Sequence, residues 1–558
     1  MKPTPDNLLL LAVALPAVAA VGVWMLDSAN RSVSRRIALA VTLVELVLAG
    51  MLVFHFPGIA GESASGDAAY AVSNIEWLGG DSPLNVSLSF GLDGLSLWLF
   101  ALSTLLMITS VLVSWEAIKD RPAAFYSLLL LLQAGVLGVF AARDIILFYV
   151  CFEFTLIPLF FLIGGWGSEE RRYAAMKFFL FTLAGSVLTF LSLLAIVLWD
   201  RQHAGGGVMN FSIPDLTRNL IDHPLPDSLQ LMIFLGLFAG FAIKVPLFPL
   251  HTWLPLAHVQ APTAGSVMLA GVLLKIGTYG FLRFSIPMLP EATARCAPYL
   301  LWLAVAGIVY GALVALAQTD MKRLIAYSSV SHLGFCMLGI FALNPAGVQG
   351  GALQMVNHGL STGGLFAIVG MLYERYHTRE IKHLGGLCRQ MPLLTLMMVL
   401  FTFSSIGLPG LNGFAGEFPL LLGMFQRAWA DAPVAWAGQY RIISVVALSG
   451  VVLGAWYMLW LVKRVFFGPL KEPAHDDMEP PVRDLTLREG CALAPLLVFV
   501  FWIGLQPKFF LDPMAPALRR ATQAATERVN EDVPFRNATA IDSNERSTTG
   551  DRARADAD

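Results

Sequence analysis

Six titratable residues stand inside apolar runs, where a charge is expensive. Glu153 sits in Val-Cys-Phe-Glu-Phe-Thr-Leu-Ile-Pro, Lys244 in Phe-Ala-Ile-Lys-Val-Pro-Leu-Phe-Pro, and Lys275 in Gly-Val-Leu-Leu-Lys-Ile-Gly. His332 follows Tyr-Ser-Ser-Val-Ser, His358 follows Met-Val-Asn, and Glu417 closes Leu-Asn-Gly-Phe-Ala-Gly-Glu. An ionised side chain at the centre of a membrane helix costs about 2.5–3.5 kcal/mol on insertion scales, so such residues are functional candidates by default. Carboxylate, amine and imidazole share one reaction, the uptake and release of a proton. A mid-membrane lysine must be paired, hydrated or deprotonated, and Glu153 is the sensible partner for Lys244.

Each residue also has a plain structural account. A lone histidine in a helix is commonly a satisfied interhelical hydrogen bonder. Glu45, in Leu-Val-Glu-Leu-Val, pairs locally or faces a partner subunit. A Glu153–Lys244 salt bridge explains those two alone and leaves Lys275, His332, His358 and Glu417 without a reason. A relay explains all six.

Prolines mark where the backbone around these groups opens. Pro246 and Pro249 follow Lys244, and Pro409 and Pro419 flank Glu417. Proline removes a helix hydrogen bond and frees a carbonyl. Inside a bilayer that is tolerated only against protein or a water-filled cavity. Two broken helices, each carrying an ionisable group, fit the pattern of repeat-built transporters.

The elements that carry these residues must span a membrane. Of 558 residues, 56% are hydrophobic and 14% charged, and the mean hydropathy is +0.66. Soluble domains carry about 25% charged residues, so this chain cannot coat a soluble globule. A net charge of −2 excludes a basic field for nucleic acid. Five scattered cysteines form no Cys-x-x-Cys, which speaks against iron–sulfur ligation and covalent haem. No Walker motif occurs, and no metal or cofactor site is expected on the chain.

The hydropathy pattern predicts an all-α membrane protein with about fourteen transmembrane helices, the seventh and twelfth broken. Residues 1–123 hold helices 1–3 and an outside loop at 56–93. Two five-helix units follow, at 124–286 (helices 4–8) and 299–467 (helices 9–13). Five is odd, so the second unit would be inverted relative to the first. Helix 14 is expected at 489–510 and a flexible tail at 519–558. The first span contains Ala-Val-Ala-Ala and could pass for a signal peptide, but its single early lysine is offset by Asp6. With both termini outside, nineteen Lys and Arg fall in inside loops, eight in the N-terminus and outside loops, and eight more in the segment from Lys508 that follows the last span. That is the positive-inside pattern.

The motifs around the six residues closely resemble the antiporter-like subunits of respiratory complex I, over about residues 90–470. The stretches that carry the likeness are Gly91-Leu-Asp-Gly-Leu-Ser96, Phe152-Glu-Phe-Thr-Leu-Ile-Pro158, Lys244-Val-Pro-Leu-Phe-Pro-Leu-His-Thr-Trp-Leu-Pro255, Ala257-His-Val-Gln-Ala-Pro-Thr263, Lys322-Arg-Leu-Ile-Ala-Tyr-Ser-Ser329 and Leu411-Asn-Gly-Phe-Ala-Gly-Glu417. Glu417 points to one branch, because sister subunits more often carry Lys there. The resemblance implies a proton-translocating membrane-arm subunit of NADH:quinone oxidoreductase in a bacterial cell membrane. It implies Glu153 and Lys244 as an interacting pair, Lys275 as the central relay, His332 and His358 along the axis, and Glu417 as the group that hands the proton to the outside or communicates with the next subunit. Flavin, iron–sulfur clusters and quinone would belong to partner subunits, among them the sister antiporter-like subunits. A cation/proton antiporter subunit or the membrane arm of a hydrogenase is the alternative. A solute transporter is a third reading, but it would want a polar pocket at the breaks, and the residues there are almost purely titratable.

Overall fold

The computed structural model describes residues 4–26, 31–60, 69–78, 84–204, 206–433, 435–473 and 482–531. Among these residues, thirteen helices are long and apolar enough to cross a membrane. The N-terminal ones are α1 (Pro5–Trp24), α2 (Arg31–Phe54) and α3 (Gly94–Val113). Next come α4 (Pro122–Ala141), α5 (Ile145–Trp166), α6 (Arg171–His203), α7a (Asp227–Lys244) and α8 (Thr263–Met288). The second unit holds α9 (Pro290–Leu316), α10 (Met321–Phe341), α11 (Pro345–Tyr376) and α13 (Ala437–Phe466), and α14 (Leu487–Leu505) follows it. The fourteenth expected span is the broken twelfth. It is split into α12a (Pro392–Ser405) and α12b (Asn412–Trp429).

Local chemistry sets the ends. Asp93 caps α3 through a capping box with Ser96, and the Asp144 carboxylate accepts from the amides of Ile146 and Leu147 to start α5. α7a stops at Lys244 because Pro246 and Pro249 cannot continue it; the Phe248–Pro249 bond is cis, and the short helix α7b (Trp253–Gln260) resumes beyond. α12a stops ahead of Gly407, Pro409 and Gly410, and both glycines take positive φ. The apolar windows of α8 and α11 are wholly buried, whereas only a third of that of α1 is. So α8 and α11 form the interior axis, and α1 presents its apolar surface outward.

The structure differs from the sequence reading at three places. The loop 56–93 carries a hairpin, β1 (Tyr70–Leu78) against β2 (Leu84–Leu92), antiparallel with Tyr70 opposite Leu92. The reason is the strict alternation Leu-Asn-Val-Ser-Leu-Ser-Phe-Gly-Leu, which a scan for apolar runs passes over. Met209–Asn210 adds a short parallel strand to β2.

The tail expected from 519 is helical as far as it is described. α15 (Lys508–Glu531) buries Met514, Leu518, Thr522, Ala525 and Val529 on one stripe, hidden in a polar sequence. Residues 532–558 lie outside the described residues. Finally, Pro419 stands inside α12b rather than at the break. Only Pro246, Pro249 and Pro409 occupy the broken segments.

Candidate functional site

Lys275 lies near the middle of α8, between two π-helical turns at Leu269–Leu273 and Phe281–Ser285. Such turns carry one extra residue and recur at functional sites. Lys275 donates to the carbonyl of Ala270 in the first of them. Its Nζ also lies 2.6 Å from Nδ1 of His358 on α11. An ammonium at Lys275 requires that Nδ1 accept, which places the proton of a neutral His358 ring on Nε2. That Nε2 is buried and has no hydrogen-bond partner.

From His358 the row continues across two more helices. The rings of His358 and His332 on α10 are 5.8 Å apart, centre to centre. His332 Nδ1 is 3.3 Å from Oε1 of Glu417 on α12b. Its Nε2 is 3.3 Å from both Ser405 Oγ and Tyr457 Oη. The Glu417 oxygen also accepts from Gln354 Nε2 at 3.0 Å. Asn357 donates to Gln354 Oε1 at 3.2 Å and to the Asn412 carbonyl at 2.7 Å, tying α11 to the start of α12b. All of these side chains except Asn357 at its Oδ1 and His358 at its Nε2 have their buried polar atoms satisfied. Four of the six expected residues, Lys275, His358, His332 and Glu417, therefore form one buried row.

The other two stand apart. Lys244 is buried at the end of α7a, with Nζ 4.5 Å above the centre of the Phe152 ring and no hydrogen-bond partner. Oε1 of Glu153 likewise has none. The two residues feel each other electrostatically. No ion pair closer than 4.0 Å joins them among the described residues, so the salt bridge expected from the sequence is open in this structure. An aromatic face holds the ammonium instead. Glu45 is fully buried next to Gln133, and both its oxygens lack hydrogen-bond partners.

Sequence reasoning missed several members of the site. Gln354, Asn357 and Ser361 share one face of α11 with His358, at the 3, 4 and 7 spacing of a helix stripe. That spacing is the signal that could have found them. His258 of α7b is completely buried and stacks 4.6 Å from Phe366, within 7° of parallel. It lies within electrostatic reach of Lys275 and Lys322. Lys322, at the start of α10, is buried and donates to the Ala261 carbonyl at 2.5 Å.

On the opposite side, α8 ends in a partly buried ion pair. Arg283 Nη1 lies 2.7 Å from Asp93 Oδ2, and its Nε donates to Tyr279 Oη at 3.0 Å. Burial alone would raise the Asp93 carboxyl. The Arg283 guanidinium and the Ser96 hydrogen bonds outweigh it and hold the group down at about 2. The pair thus stays charged in neutral or mildly acidic medium. Among the described residues no group of three His, Cys, Asp or Glu could hold a metal ion.

Gly407 bears directly on Glu417. Its φ is +72°, and a Cβ there would come within 2.6 Å of Glu417 Oε2. Gly407→Ala is expected to cost about 1–2 kcal/mol from the left-handed backbone alone and to push the carboxylate off His332. A lower melting temperature of the purified protein, with weaker proton transport, checks it.

The family described as NADH:quinone oxidoreductase/Mrp antiporter, transmembrane, matches residues 142–440, which contain all six residues. The chain belongs to this family. Within it, the chain is 40% identical to NADH-quinone oxidoreductase subunit M of Rhodobacter capsulatus over 524 residues, covering 93% of this chain and 97% of that one. It is 37% identical to NADH-ubiquinone oxidoreductase chain 4 of Chondrus crispus, covering 91% and 96%. A chain of respiratory complex I from Thermus thermophilus with bound NADH superposes with a TM-score of 0.77 at 33% identity, covering 93% of this chain and 99% of that one. A chain of the Mrp complex from Dietzia sp. shares the fold, with a TM-score of 0.76 at 22% identity, covering 94% and 98%. The membrane-protein fold expected from hydropathy is thereby borne out for this family member.

Proposed function

We propose that this chain is a proton-translocating subunit in the membrane arm of a NADH:quinone oxidoreductase, assembled beside sister antiporter-like subunits. The observation that carries the reading is the buried row Lys275–His358–His332–Glu417, which joins four helices through groups that all exchange protons. Relatives over nearly the whole chain, named subunit M and chain 4, support the assignment to this assembly. Flavin, iron–sulfur clusters and quinone belong to partner subunits in this reading, and the chain itself carries no redox centre. The positive-inside count supports both termini on the outer side of a bacterial cell membrane. Two five-helix units, α4–α8 and α9–α13, related by inversion, fit the matched breaks after Lys244 and before Glu417.

Moving one proton against about 180 mV costs about 4 kcal/mol, at about 2.3 per 100 mV. One unit of proton affinity is about 1.36 kcal/mol, so a relay group must swing by about three units per cycle. Making or breaking a buried charge pair supplies a swing of that size. The open Glu153–Lys244 geometry is one state of such a switch. With Glu153 drawn away, Lys244 loses its counter-charge, and once it swings off the Phe152 ring it releases its proton towards Lys275. From there the row carries it to Glu417. These groups titrate together, so the site as a whole, not one residue, has an affinity.

The test uses the assembled enzyme in sealed vesicles. Lys244→Ala and Glu153→Ala are each expected to remove most NADH-driven acidification. Full acidification in both variants excludes the reading. The family description, which also names Mrp antiporters, supports one other function, cation/proton exchange without NADH oxidation. Co-purifying flavin and NADH:quinone reductase activity separate the two.

A further inference from the structure

A cavity of about 1060 Å³ opens on the face that carries the α3–α4, α5–α6, α7b–α8 and α13–α14 connections. The positive-inside count puts this face inside. The cavity belongs to none of the relay residues expected from the sequence. Its lining holds seven Lys and Arg against three Glu. Two of the carboxylates are already used. Glu489 holds Arg375 in two hydrogen bonds of 2.8 Å, and Glu116 lies 3.5 Å from Arg488. Arg379 is paired with Asp320 at 3.3 Å. Arg31, Lys119, Lys322 and Arg483 have no carboxylate partner among the described residues. Arg31 spends its Nη2 on the carbonyls of Trp115 and Glu116. Among the described lining residues, Glu374 is the one acid left to face them.

Two details point to a missing ligand. Nη1 of Arg488 is buried and has no hydrogen-bond partner. Lys322 uses one of its three protons on the Ala261 carbonyl at the cavity floor. A surplus of cations around a concave site with unspent donors is a place for an oxyanion.

We infer that this vestibule binds a phosphate-bearing anion, with Lys322 and Arg488 on its oxygens and Lys119 and Arg483 at the rim. Phosphate suits the lining better than a carboxylate. It brings more than one charge and three acceptor oxygens, and guanidinium groups grip it in two-pronged fashion. With the inside face set by the positive-inside count, a mouth lined by connections between spans faces the leaflet where anionic lipid headgroups concentrate. Trp166, an interfacial residue type, stands on its wall. The chemistry fits a phospholipid headgroup and a soluble phosphate alike. Binding does not rest on the relay reading, but its consequence does. The cations of the lining repel protons, and a bound phosphate cancels them.

The experiment compares the intact enzyme with a Lys119→Gln/Arg483→Gln variant, which alters two exposed side chains outside the relay. Both are delipidated and exchanged into phosphatidylcholine vesicles with or without cardiolipin, and bound phosphorus is measured. In parallel, inorganic pyrophosphate is titrated in detergent without anionic lipid. Cardiolipin retention that falls roughly thirtyfold in the double variant establishes a headgroup site, from the contribution of each surface cation. Pyrophosphate binding that falls likewise, without cardiolipin retention, establishes a soluble phosphate site. The proposal is overturned if neither probe binds, if the variant binds as well as the parent, or if polyglutamate competes as strongly as pyrophosphate. Proton transport is read separately, so a failed relay and a failed anion site give different results.

Discussion

Lys275→Leu is expected to lower NADH-driven proton transport at least tenfold while leaving NADH oxidation by a water-soluble electron acceptor unchanged. Lys275 is the one member of the row on α8, and its 2.6 Å contact with His358 is the shortest step between proton carriers. Leucine fills the same space without a proton to give. Losing a buried ammonium relieves a desolvation cost but leaves the Ala270 carbonyl and His358 Nδ1 without their donor, so unchanged NADH oxidation also serves as the check that the variant assembles. Lys275→Arg separates two explanations. Arginine keeps the charge but does not release its proton in proteins. If the site needs only a positive charge, Lys275→Arg will pump; if it needs a proton that leaves, it will not. Pumping by the arginine variant at the parental rate would sink the relay.

The second large effect concerns stability. Arg427→Leu is expected to cost at least 3 kcal/mol, the usual consequence of stripping one side of a buried charged network. Arg427 is almost fully buried on α12b. It donates to the carbonyls of Ala342 and Leu343 at 2.8 and 2.7 Å, which are orphaned where α10 ends. It also holds Asn530 near the end of α15 at 2.9 Å. Removing it leaves the Ala342 carbonyl unpaired, leaves the Leu343 carbonyl to Thr526 Oγ1 alone at 3.1 Å, and takes one polar tie from α15, whose Arg528 still reaches Glu291 at 3.2 Å. Limited proteolysis within 508–531 should become fast in the variant. A cleavage pattern like the parent's would show that α15 docks without Arg427, by its apolar stripe and its ties to Glu291 and Leu343.

The six titratable residues were legible because apolar surroundings make a charge conspicuous. The breaks were legible because proline and glycine have few alternatives inside a membrane. What stayed hidden had ordinary chemistry. Gln354, Asn357 and Ser405 are unremarkable letters until neighbouring helices place them around Glu417 and His332. The hairpin at Tyr70–Leu92 has the same composition as a loop and differs only in its alternation. α15 hides five inward residues in a polar stretch. The distance between Glu153 and Lys244 depends on how α5 and α7a pack, and no spacing along the chain contains it. Pro419 shows the limit of counting prolines, because one that lies in a helix reads like one that ends it.

The resting place of Lys244 has a kinetic meaning. A ring face attracts a cation but has no lone pair able to take its hydrogen. Under the proposed relay, an amine over Phe152, without a hydrogen-bond partner among the described residues, is loaded yet insulated. The aromatic ring would then act as a latch, making backflow slow through lack of a recipient and leaving the moment of discharge to whatever swings that side chain aside.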